Sequence, residues 1–74
     1  MCGIVGITGS QEASSKVHQG LLILQHRGQD SAGITSHDQS TAKFHTHKDL
    51  GQVSQVFSGL HLQKLIGDTA LGHT

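Results

Sequence analysis

One cysteine, at position 2, limits more than any other feature how this chain can fold. With a single thiol no disulfide can close within it, and the usual staple of a small secreted domain is missing. Its 74 residues must be held by a hydrophobic core alone. That is near the lower size at which one core is self-sufficient. The material for the core is modest: 34% hydrophobic residues, ten glycines, and Phe44 and Phe57 as the only aromatics. The composition is that of a globular chain, and the lack of disulfides fits a reducing compartment, so a cytoplasmic location is expected.

Charge excludes several functions. The net charge is zero with histidines neutral, and the five basic residues are scattered, so no nucleic-acid groove or membrane-surface patch is expected. The longest apolar run, Leu21-Leu22-Ile23-Leu24, is far too short to span a bilayer. The N-terminus lacks the basic and long apolar regions of a signal peptide. There is no internal repeat and no proline.

Periodicity predicts the elements. Cys2 to Ile7 reads as a short buried strand, with Cys2, Ile4 and Gly6 on one face and Gly3, Val5 and Ile7 on the other. A helix is expected from a cap at Ser14 or Ser15, with Val17, Leu21 and Leu24 as its apolar stripe, ending by Arg27 with Gly28 beyond it. Gly20 inside this helix costs about 1 kcal/mol against alanine and implies a close packing partner. Ala32 to Ser36 and Thr41 to His47 read as two strands around a polar loop, His37 to Ser40. Leu50, Val53, Val56 and Phe57 space as a short helix, which Gly59 breaks. Leu60, Leu62 and Leu65 suggest another turn or two. Gly67-Asp68 is a turn, and Thr69 to Thr74 a last strand, which leaves an unfinished sheet with an open edge. The order β-α-β-β-α-β predicts an α+β fold.

Cys2 is also the candidate nucleophile. It is small, so Met1 is expected to be removed, leaving a thiol beside a free α-amino group. A thiolate attacks but an ordinary thiol titrates near 8.5, whereas an α-amino group near 7.7 to 8.0 can take its proton. Nucleophile and base then sit on one residue.

Two motifs stand together: Met1-Cys2-Gly3-Ile4-Val5-Gly6-Ile7, and Leu24-Gln25-His26-Arg27-Gly28-Gln29-Asp30-Ser31-Ala32-Gly33-Ile34 after one helix. This pair resembles the opening of the class II glutamine amidotransferases, which are N-terminal-nucleophile hydrolases. His-Arg-Gly-Gln-Asp-Ser-Ala-Gly is most similar to the amidophosphoribosyltransferase family. Hexosamine-forming relatives usually read Tyr-Arg-Gly-Tyr-Asp there. His47-Lys48-x-Leu50-Gly51-x-Val53-Ser54-x-Val56-Phe57 and Leu71-Gly72-His73-Thr74 are similar to the same family, so the resemblance covers essentially the whole chain.

The resemblance implies that residues 1–74 are the N-terminal part of a type 2 glutamine amidotransferase domain, within an incomplete αββα sandwich. Cys2 would attack the glutamine carboxamide, with its own α-amino group as base. The ammonia would pass to a phosphoribosyltransferase domain, absent here, and displace pyrophosphate from phosphoribosylpyrophosphate to give 5-phosphoribosylamine, the first committed step of purine synthesis. Arg27 and Gly28 match the Arg-Gly beside the nucleophile and would support its pocket, although a basic residue and a glycine are also routine at a helix end. His73 and Thr74 would lead into the substrate-binding segment. Asp30 and Gln29 read as turn and packing residues.

The family's glutamine-clamping arginine, oxyanion-hole Asn-Gly and amino-group-binding aspartate do not occur in the 74 residues. Losing one oxyanion donor alone costs about 10² to 10³ in rate, so the chain by itself is expected to be inactive. No cofactor is expected in this stretch. Mg2+ would enter with phosphoribosylpyrophosphate, some family members carry an iron–sulfur cluster, and the full-length enzyme would be a homo-oligomer. Other readings stay open. One is a hexosamine-forming amidotransferase, against which Gln29 speaks. Another is a non-catalytic fragment. A third is a small metal-binding module built on His45-x-His47, although histidines on a solvent-facing strand explain that spacing more simply.

Overall fold

A computed structural model describes residues 3–25 and 30–74. The chain runs β1 (Ile4–Thr8), α1 (Ala13–Leu24), β2 (Ser31–Asp38), β3 (Lys43–Leu50), α2 (Val53–Val56), α3 (Gly59–Lys64) and β4 (Thr69–His73). The strands form one antiparallel sheet in the order β1-β4-β2-β3. α1 packs across β1, β4 and β2, and α2 covers β2 and β3. The result is one helical layer on one sheet, the α+β class expected.

The last strand is not an open edge. β4 inserts between β1 and β2, and the edges of the described sheet are β1 and β3. Its inward residues explain the position. Ala70 is buried, and a Cβ built on Gly72 would stand 2.5 Å from Val17 Cγ1 and 2.9 Å from Leu21 Cδ1. Only a strand this thin passes beneath the middle of α1. β1 is correspondingly an edge strand and only half-buried: Val5 and Ile7 pack inward, whereas Ile4 is 72% exposed. The alternation of its faces is as expected.

α1 buries Ala13, Ser14, Val17 and Leu21, and Gly20 has the close partner its cost implied. A Cβ there would stand 3.0 Å from Val5 Cγ1. Neither Ser14 nor Ser15 caps the helix. Glu12 takes the N-cap position without a side-chain cap bond. Ser14 lies in the first turn, two residues past the cap, where its buried hydroxyl donates to the Leu65 carbonyl at 2.7 Å. Burial decides this, because a hydroxyl out of water requires a partner. The expected helix end at Arg27 and Gly28 lies outside the described residues.

β2 and β3 are longer than expected and turn at 39–42, with Asp38 opposite Lys43. Asp38 Oδ1 accepts from Ser40 N–H at 3.1 Å and from its hydroxyl at 2.8 Å, a local turn that competes with strand extension. Leu50 ends β3, 81% exposed, and does not join α2. Val53, Val56 and Phe57 do enter the core, with Ile34, Ala32 and Leu65. Gly59 both separates the two short helices and opens α3, whose Leu60 is exposed. Of the two aromatics expected to fill the core only Phe57 does; Phe44 lies 71% exposed on the helix-free face, against His37.

Candidate active site

The nucleophile assigned from the sequence, Cys2, lies outside the described residues, as do Arg27 and Gly28. What flanks them is described. Gly3, bonded to Cys2, exchanges both backbone hydrogen bonds with Thr74, at 3.1 and 3.0 Å. A Cβ built on Gly3 would stand 2.9 Å from Leu24 Cδ1 and 3.5 Å from Thr74 Cγ2. The start of β1, the last turn of α1 and the end of β4 therefore share one end of the molecule. Asp30, where description resumes, accepts the Gly51 N–H at 3.0 Å. The two motifs, separated in sequence by residues 8–23, meet where Gly3 lies against Leu24.

His73 and Thr74 both reach this end, on opposite faces. Thr74 is buried at 8% exposure on the helical side. His73 is exposed on the helix-free side, opposite Ile4 in β1 and Gly33 in β2. Around it Ile4, Gly33, Thr35, Lys48, Leu71 and His73 line a shallow hollow of about 270 Å³. Sequence reasoning singled out His73 and missed Gly33. No local signal in the sequence pairs the two, since their contact depends on β4 lying beside β2.

His45 and His47 do share a strand face, but it is the covered one. They pair with Ile34 and Ser36, both buried, so a solvent face does not account for the spacing. His47 Nε2 donates to the Val56 carbonyl at 2.9 Å, and its ring stacks on His61 at 3.8 Å and meets Phe57 edge-on at 5.4 Å. His18 from α1 also meets Phe57 edge-on, at 5.6 Å. These half-buried imidazoles pack around Phe57 at the margin of the core. Burial holds the His18 imidazole below its ordinary value of 6.5, because the charged form loses water; its Nε2 has no hydrogen-bond partner in the structure. The hydrogen bonds from Ser40 hold the Asp38 carboxyl below the usual carboxylate range. Among the described residues no three His, Cys, Asp or Glu side chains are grouped to hold a metal.

No protein-family model matches the chain. Individual proteins do. The chain is 49% identical over 74 residues to amidophosphoribosyltransferase of Pseudomonas aeruginosa, covering 99% of this chain and 14% of that protein. It is 45% identical over 73 residues to that of Escherichia coli, again with 99% and 14% covered. The chain therefore spans about a seventh of the length of these relatives. A solved structure described as the allosteric regulatory enzyme of purine biosynthesis superposes with a TM-score of 0.90 at 39% identity, over 100% of this chain and 15% of that one. Glutamine phosphoribosylpyrophosphate amidotransferase from B. subtilis, complexed with ADP and GMP, does so with 0.89 at 39% identity, over 100% and 16%. In sequence from end to end and in fold, the chain is similar to the N-terminal region of the amidophosphoribosyltransferases.

Proposed function

We propose that this chain carries the nucleophile of a glutamine-dependent amidophosphoribosyltransferase. After loss of Met1, the Cys2 thiol attacks the side-chain carboxamide of glutamine. The thiol proton passes to the α-amino group, through a water, and on to the leaving nitrogen as the C–N bond breaks. A thioester and ammonia result, and water then hydrolyses the thioester to glutamate. The ammonia displaces pyrophosphate from phosphoribosylpyrophosphate, whose Mg2+ and binding residues lie outside this stretch, and forms 5-phosphoribosylamine. Arg27 and Gly28 support the nucleophile's pocket, and Thr74 and His73 border it.

The observation that carries this reading is the closure of Gly3 on Thr74 beside Leu24. It brings the residue bonded to the nucleophile, the helix leading into Arg27-Gly28 and the Gly-His-Thr end of β4 to one place. The likeness in sequence and fold to named amidophosphoribosyltransferases supports the reaction type.

The test uses the protein at its full natural length. Cys2→Ala is expected to lower phosphoribosylamine formation from glutamine by about 10³ or more, since it removes the covalent route. Formation from free ammonia should stay near the wild-type rate. A Cys2→Ala protein that still uses glutamine would end the proposal. Arg27→Ala should weaken glutamine use and likewise spare ammonia use.

A further inference from the structure

The second motif and the Leu71–Thr74 segment meet on the helix-free face of the sheet, through Gly33 and His73. These residues are cross-strand partners in β2 and β4. A Cβ built on Gly33 would stand 2.6 Å from His73 Nε2, 3.3 Å from its Cδ2 and 2.9 Å from Lys48 Cβ. The imidazole occupies the space that any other residue at position 33 would need. A glycine inside a strand otherwise weakens it, so a close approach of this kind is what it provides.

On its other side His73 stands opposite Ile4. The neighbouring pair, Gly3 with Thr74, exchanges both backbone hydrogen bonds. Ile4 and His73 therefore form a pair of the non-hydrogen-bonded kind, in which the side chains lie closest. Within the described sheet β1 has no strand neighbour except β4. The position of Gly3, to which Cys2 is covalently bonded, therefore depends on where the end of β4 stands.

We infer that His73 is a positioning residue for the N-terminal nucleophile. Its imidazole, seated in the notch at Gly33, pins the end of β4 to β2. It thereby fixes the Gly3–Thr74 closure from which Cys2 extends. His73 acts through the backbone and not on the substrate. This rests on the reading of Cys2 as the nucleophile. Catalytic geometry is steep in distance: a misplacement of about 1 Å can cost 10²-fold.

The experiment compares wild type, His73→Ala and Gly33→Ala in the full-length protein. His73 is exposed, so its truncation leaves the core intact even if Gly33→Ala folds poorly. The readouts are alkylation of Cys2 by iodoacetamide, followed on the N-terminal peptide, and kcat and KM for glutamine, with ammonia-supported activity as control. Both variants should slow alkylation and lower kcat for glutamine about 10-fold or more, with KM within about 3-fold and ammonia use unchanged. His73→Ala that alkylates at the wild-type rate overturns the inference. So does a fall in kcat matched by an equal fall in ammonia use, which would report general unfolding. Wild type that alkylates at Cys2 yet never hydrolyses glutamine would refute the proposed function alone, because the alkylation comparison still decides whether His73 positions Cys2.

Discussion

Gly72 and His18 show what single residues contribute to this small core. Any side chain at 72 would enter the contact between β4 and α1, since a Cβ would meet Val17 and Leu21 below 3 Å. Gly72→Ala should destabilise the protein by about 1–3 kcal/mol, the usual cost of overpacking, measured by chemical denaturation. His18 sets a pH dependence. The unfolded chain takes up a proton on this imidazole near its ordinary value of 6.5, whereas the folded chain does so only at lower pH. Above that window His18 costs nothing; as pH falls through it, the unfolded state gains protons that the folded state refuses, and stability drops. His18→Gln should flatten this decline, so that the variant loses less stability than wild type between about pH 7 and pH 5. A variant with the wild-type slope would show that His18 is not the cause.

Among the elements, the 65–66 segment after α3 is tied down by hydroxyls rather than by apolar contacts alone. Ser14 donates to the Leu65 carbonyl at 2.7 Å and Ser36 to the Ile66 carbonyl at 2.8 Å. α3 itself buries none of its residues and is held by a reciprocal cap between Ser58 and His61. Ser14→Ala leaves a buried carbonyl without its partner and should cost about 1–3 kcal/mol. Hydrogen exchange should rise first in α3. This is also where reading from sequence stopped short. Period and turn residues made the type and order of every element legible. They could not say that Ser14 bonds across to Leu65 instead of capping its own helix, or that Leu50 ends a strand. Both outcomes depend on residues distant in the chain. The same holds for the site: Cys2 is proposed from its place beside Met1, but the closures Gly3–Thr74 and Gly33–His73 were not legible, because strand periodicity carries no record of which strand pairs with which.

For the whole molecule the asymmetry of the sheet matters most. One face is packed under α1 and α2. The other shows Ile4 at 72%, Phe44 at 71%, Leu50 at 81% and Leu71 at 58% exposure. Isolated exposed apolar residues are ordinary, but several on one sheet face mark a surface made to be covered. The αββα resemblance implies a second sheet there. In the full-length protein Leu71→Lys should therefore lower the melting temperature by several degrees, as a buried charge would. Ile23→Lys, on the outer side of α1 and exposed here at 71%, should leave it within about a degree. Equal effects of the two would count against the sandwich.

The strand order also dictates a sequence of events. β1 begins the chain, yet the strand it pairs with is β4, the last of the described elements. A ladder between the two ends of the chain is the slowest kind of contact to form, because nearly the whole chain must be closed into a loop first. At synthesis rates of about 5–20 residues per second, β1 is made roughly 4–14 s before β4 is complete. During that interval β1 has no strand partner in the described sheet. On the reading proposed for Cys2, that is when Met1 would be removed, before β4 docks and the end of the layer is assembled.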